Sequence, residues 1–315
     1  MSSSSTASKL ARLGGLHGAK RLLMRLARGE AETHAVLLYG PSGSGTEELA
    51  EILAQAWLCQ DPGSEGADGT CRACGAFERG NVSDLLRIEP SGPSRIIRLR
   101  QITPPRQDDG DPTPLREFFL TLPLMARHKV AIIHDAHRMN KDAASSLLKT
   151  LEEPLPHAKI VMTTDSVGSL LPTILSRCVA VACELPHADE LPSATEDELR
   201  LSEGTPGRLR AIQAAPDRYR PLADFARRLR EKRKGDAIRL ADEFREIAER
   251  IPGENARASN ADALALLAIW LAREPGINPH WPQLVIEAHR RIQGNGSATL
   301  VFDALITQMI SDVKT

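Results

Sequence analysis

Aromatic residues are scarce in this chain, 3% of 315, which argues against the stacking platforms that grip single-stranded nucleic acid. Charge of one sign is not in surplus either. The formal net charge is −1, so no global field draws the chain to nucleic acid or to a membrane surface. A local basic patch stays open. No apolar run approaches the roughly 20 residues of a membrane helix. The opening "MSSSSTASKLARLGG" lacks the apolar stretch of a signal peptide and reads as a frayed tail. Cysteines number five. An odd count without a secretion signal favours reduced thiols or a bound metal over disulfides. These absences point to a cytoplasmic chain with no membrane partner.

What is present is a clear alternation. Residues 34 to about 180 alternate short apolar runs with amphipathic helices. The runs Ala35–Tyr39, Leu85–Ile88, Lys129–Ile133, Ile160–Thr164 and Val179–Cys183 suit a parallel sheet covered on both faces. Leu49, Ile52, Leu53, Ala56 and Trp57 fall on one helical face, as do Ala144, Leu147, Leu148 and Leu151. The pattern predicts a doubly wound α/β domain. Two insertions interrupt it, a cysteine-bearing one at 59–76 and a Pro/Asp-rich exposed loop at 100–114. After Pro186 the strand signals stop. One or two short helices follow, and from about 217 to the end the pattern is wholly helical, with breaks at Pro252-Gly253, between Pro275 and Pro282, and at Gly294-Asn-Gly296.

The first apolar run feeds a glycine loop, Gly40-Pro-Ser-Gly43-Ser-Gly45, that opens a helix. A phosphate-binding loop of the pattern G-x-x-x-x-G-K-[ST] needs a lysine for the phosphates and a hydroxyl for magnesium. Those positions hold Thr46 and Glu47. Glu47 suits the positive end of a helix but repels a triphosphate, so the glycines read as a packing turn, vestigial for nucleotide. After the strand Lys129–Ile133, His134 and Asp135 stand where a metal-binding Asp-Glu pair belongs. Hard magnesium prefers oxygen to imidazole, so both halves of this chemistry are altered together. Cys59, Cys71 and Cys74 cluster in the insert. Cys71-x-x-Cys74 has zinc-knuckle spacing, and structural zinc sites close with four ligands; buried thiols packing as small hydrophobes are the other reading. Arg177, in "LLPTILSRC", reads by itself as a helix-end carbonyl cap or a surface ion pair.

Four segments in order, "HAVLLYGPSGSG", "KVAIIHDAHRMNKDAASSLLKTLEEP", "LLPTILSRC" and "SEGTPGRL", resemble the bacterial sliding-clamp loader subunits of the AAA+ class, closely over residues 10–213 and loosely beyond. The resemblance implies an α/β AAA+ domain at 1–185, a small and possibly shortened helical lid domain at 186–216, and an all-α collar domain at 217–315 that joins five subunits. It implies a member that does not hydrolyse ATP, binding it weakly or not at all, and that lends Arg177 to a neighbouring ATP site as an arginine finger. Family members carry a fourth cysteine three residues before the C-x-x-C pair. Here that position is Asp68, which gives a zinc set of Cys59, Asp68, Cys71 and Cys74; water as fourth ligand, or loss of the metal, competes with it. Arg208, where the class places a second nucleotide-reading arginine, is expected to be a structural remnant or an ion-pair partner. The implied partners are ATP-hydrolysing clamp-loader subunits and a delta subunit in a heteropentamer, with primer-template DNA and the sliding clamp reached through the assembly. Two alternatives stay open, an ATPase with unusual nucleotide contacts and a zinc-dependent nucleic-acid-binding protein.

Overall fold

The structure is a computed structural model and describes residues 5–92, 94–104, 113–187, 191, 193–229, 236–253 and 255–311. The chain divides into two compact units, Met1–Leu191 and Pro192–Thr315.

The first unit is built on strands β1 (Ala35–Tyr39), β2 (Leu85–Ile88), β3 (Lys129–Ile133), β4 (Ala158–Thr164) and β5 (Val179–Ala182). They form one parallel sheet in the order β2-β3-β4-β1-β5. Around it lie α1 (Thr6–Ala11), α2 (His17–Ala27), α3 (Thr46–Leu58), α4 (Arg72–Glu78), α5 (Leu99–Ile102), α6 (Leu115–Leu120), α7 (Lys141–Glu152) and α8 (Pro172–Leu175). Because side chains alternate along a strand, the sheet feeds two separate cores. Val36, Leu38, Val130, Ile132, Val161 and Val181 pack with α1, α2 and α3. Ala35, Leu37, Ala131, Ile133, Ile160 and Met162 pack with α5 to α8.

Two expectations give way. The opening segment is not a frayed tail from residue 5 onward. Ser5 caps α1, Thr6 and Leu10 are buried, and the Ala67 N–H donates to Thr6 Oγ1 at 2.8 Å. A Ser/Thr-rich stretch looks unstructured in sequence because its value here is hydrogen bonding to a segment about 60 residues away. The exposed loop at 100–114 is also interrupted. Residues up to 102 form α5, whose first N–H groups are satisfied through Arg98 and Gln101, and Ile102 is fully buried. The rest of that stretch, 105–112, lies outside the described residues.

The second unit contains α9 (Glu196–Ser202), α10 (Pro206–Ala214), α11 (Pro216–Leu229), α12 (Ala237–Arg250), α13 (Ala256–Arg273), α14 (Trp281–Gln293) and α15 (Ala298–Ser311). Its centre is aromatic. Phe225 stacks 5.3 Å from Phe244, which meets Phe302 edge-on at 5.0 Å. Leu201 of α9 and Ile212 of α10 belong to this same core. The Arg200 guanidinium lies 4.7 Å over the Trp270 ring and pairs with Glu274. Residues 196–214 thus share a core with the helices that follow them.

One buried carboxylate organises the approach to β3. Asp84 is wholly buried and accepts from the N–H groups of Leu124, Met125 and Ala126 at 2.8, 2.8 and 2.9 Å. Hydrogen bonds to a charged group contribute about 1.5–3 kcal/mol each, and orphaned donors carry a desolvation cost. Asp84→Ala should therefore lower unfolding stability by about 3 kcal/mol, read as a reduced urea midpoint.

Candidate functional site

The glycine loop and His134-Asp135 follow the C-terminal ends of β1 and β3, where open α/β sheets place their ligands, whereas Arg177 immediately precedes β5 and lies at the opposite edge of the sheet. The terminal threonines of β4 join the first two. Gly40 donates to the Thr164 carbonyl at 3.2 Å, and Asp135 donates its N–H to Thr163 Oγ1 at 3.2 Å. A Cβ at Gly40 would collide with the Cys183 carbonyl oxygen after β5. Gly45 caps α3 in the left-handed region, φ +102°, and a Cβ there would stand 3.1 Å from Leu16 Cδ1. Both glycines are therefore required by close packing and backbone angle, whatever binds. Thr46 is buried at the start of α3. Glu47 is exposed in the same first turn.

At the end of β3, the His134 N–H continues the ladder to the Ile88 carbonyl at 2.9 Å. Asp135 adopts φ +48° and faces Arg138 Nε at 3.6 Å. His137 Nδ1 lies 3.1 Å from Thr164 Oγ1 and 3.4 Å from Asp165 Oδ1.

Arg177 lies two residues beyond α8. Its Nη1 donates to the Thr173 carbonyl at 3.0 Å and to Ser176 Oγ at 3.3 Å. Its Nη2 meets Glu152 Oε1, on the last residue of α7, at 2.8 Å. Both side chains stay well exposed, 34% and 47%. Arg177 is thus carbonyl cap and ion-pair partner at once, and remains accessible. Glu152 also lines an open groove of about 360 Å³ with Arg116, Phe119, Lys149 and Leu155. In the second unit, Arg208 pairs with Glu203 at 2.9 Å.

The insert gathers its polar residues into one cluster. The ligand-type atoms of Cys59, Asp68, Cys71 and Cys74 all lie within 4.8 Å of one another. Cys59 Sγ is 3.9 Å from Cys71 Sγ and 3.4 Å from Asp68 Oδ1. A tetrahedral zinc with bonds of about 2.3 Å to sulfur and about 2.0 Å to oxygen sets such edges near ~3.7 and ~3.5 Å. The donor set fits a metal ion. Hydrogen bonding from Cys74 lowers the Cys59 thiol to about 7 against its burial, while the same pairing and burial raise Cys74. Burial would raise the Asp68 carboxyl, but hydrogen bonds from Thr70 and the Cys71 N–H outweigh it and hold the group well below the usual carboxylate range. A thiolate and a carboxylate side by side call for a cation.

Every site residue named from the sequence thus has a place, with the loop and β3 end adjoining and the cysteine cluster in its own pocket of small side chains, Ala27, Ala56 and Ala67. Sequence reasoning missed two contributors, Glu152 and the Thr163-Thr164 pair. Glu152 does carry a signal. An acidic residue at a helix C-terminus opposes the macrodipole, so its presence there asks for a partner.

A family model described as DNA polymerase III, delta subunit, matches residues 17–186. The chain is 37% identical over 185 residues to DNA polymerase III subunit delta' of Pseudomonas aeruginosa, covering 55% of this chain and 53% of that protein. It is 34% identical over 192 residues to the delta' subunit of Bacillus subtilis, covering 61% and 53%. The chain spans about half the length of these curated relatives. A solved structure of a DNA polymerase III gamma subunit-related protein from Thermotoga maritima matches with TM-score 0.51 at 19% identity, covering 92% of this chain and 98% of that one. That likeness is one of fold.

Mass spectrometry of the native chain, purified without chelator, should find one metal ion per molecule. Cys71→Ser should abolish it, and Asp68→Cys should retain it with tighter binding.

Proposed function

Because the chain belongs to the DNA polymerase III delta-subunit family, we propose that it acts as the delta-prime-type member of a bacterial clamp loader, supporting catalysis that it does not perform. Its relatives delta' support the assignment to that complex. In this reading the chain assembles with ATP-hydrolysing subunits and a delta subunit in a heteropentamer, through a collar at 217–315, with a lid at 186–216. The complex acts on primer-template DNA and a ring-shaped clamp in the cytoplasm.

The observation that carries the non-hydrolysing role is the charge at the head of α3. Thr46 supplies no cation and the exposed Glu47 supplies an anion, so a triphosphate would meet repulsion in place of a lysine. His134 offers magnesium an imidazole in place of an oxygen. The glycines have a sufficient reason to persist in the contacts with Cys183 and Leu16.

Arg177 is the group this chain would lend. It is exposed enough to reach a neighbour and is always charged. A finger of this kind spreads charge off the transferring γ-phosphate. Cys59, Asp68, Cys71 and Cys74 would hold a zinc ion that staples the insert, with no part in ATP chemistry. The zinc would supply folding energy only.

Arg177→Ala in the reconstituted complex should cut turnover at the ATP site that receives it on the order of 10³-fold and leave assembly intact. The measurement is DNA-stimulated ATPase alongside gel filtration. Unchanged turnover refutes the finger, and saturable ATP binding with steady hydrolysis by the lone chain refutes the non-hydrolysing role.

A further inference from the structure

We infer that Glu152 is the positioning residue for Arg177, holding the guanidinium so that one edge of its fork is offered outward. The inference rests on the finger reading of Arg177. Three contacts fix the group: the Thr173 carbonyl, Ser176 Oγ and Glu152 Oε1. Both hydrogen bonds come from Nη1, and Nη2 meets Glu152 as an ion pair. Nε makes neither kind of contact among the described residues. An arginine held at Nη1 and drawn by charge at Nη2 keeps N–H donors for an oxyanion, and less rotamer freedom is lost when that anion arrives.

The placement of Glu152 argues that the pair is not a stability device. As the last residue of α7, Glu152 puts a negative charge at the negative end of a helix dipole, an unfavourable position. Arg177 answers that charge while also capping the carbonyl end of α8 through Thr173. The guanidinium therefore sits against the electron-rich ends of two helices at once. With both side chains over a third exposed, such a pair contributes little to folding. Its effect falls on where the arginine points. Glu153, next along the chain, is exposed and pairs with no cation among the described residues, so it serves as the matched control.

The test is steady-state ATP turnover by the reconstituted complex carrying Glu152→Gln, which keeps shape and removes charge. The expected result is a kcat about fivefold lower, the scale of one exposed ion pair, at unchanged KM and unchanged assembly. Glu152→Asp should recover part of the loss and Glu153→Gln should show none. In an Arg177→Ala background, Glu152→Gln should have no further effect, since two residues acting through one group are not additive. An unchanged or raised kcat, or a full further loss in that background, overturns the positioning role while leaving the finger standing. If Arg177→Ala alone leaves turnover unchanged, the finger reading falls and the role of Glu152 with it.

Discussion

Five parallel strands cannot leave either face of their sheet to water, and most of the first unit follows from that constraint. Alternate residues of β1, β3 and β4 feed two cores on opposite faces, so helices must cover both. The chain can return to a parallel neighbour only by a crossover, which puts every strand-to-helix turn on the same edge. Gly40 and His134 are brought to that edge by topology, and Arg177, just before β5, to the opposite one. The contacts between the glycine loop and the end of β3 then depend on a few polar atoms, above all the two threonines ending β4.

The strands were legible because burial on both faces leaves almost no choice of residue. Lys129–Ile133 carries Val, Ala and two Ile, each fully buried, and its bounds could be read directly. β4 begins two residues before the run Ile160–Thr164 because Ala158 pairs with Lys129, a backbone fact that side-chain patterning does not record. The helix α1 was hidden for a related reason. Its contribution is one buried threonine and one buried leucine, too little apolar surface to set a periodicity.

The site divides along the same line. The types of residue at Thr46, Glu47, His134 and the cysteines already state what chemistry is missing or possible, since a ligand's identity is chemical. The partnership of Arg177 with Glu152 is geometric. The two are 25 positions apart and belong to different helices, and each alone looks like an ordinary surface charge. Only the unfavourable dipole position of Glu152 marks it in the sequence.

The bond between Thr6 and Ala67 spans 61 positions, and between them lie β1, α2 and α3. It does not act alone. The Thr6 and Ala7 N–H groups donate to the carbonyls of Ala67 and Glu65 at 3.3 and 3.1 Å, and Ser5 Oγ donates to the Glu65 carboxylate at 2.9 Å. The start of the chain is thus strapped across the cysteine-bearing insert next to Asp68, so removing the strap would loosen the backbone that carries one member of the candidate metal cluster.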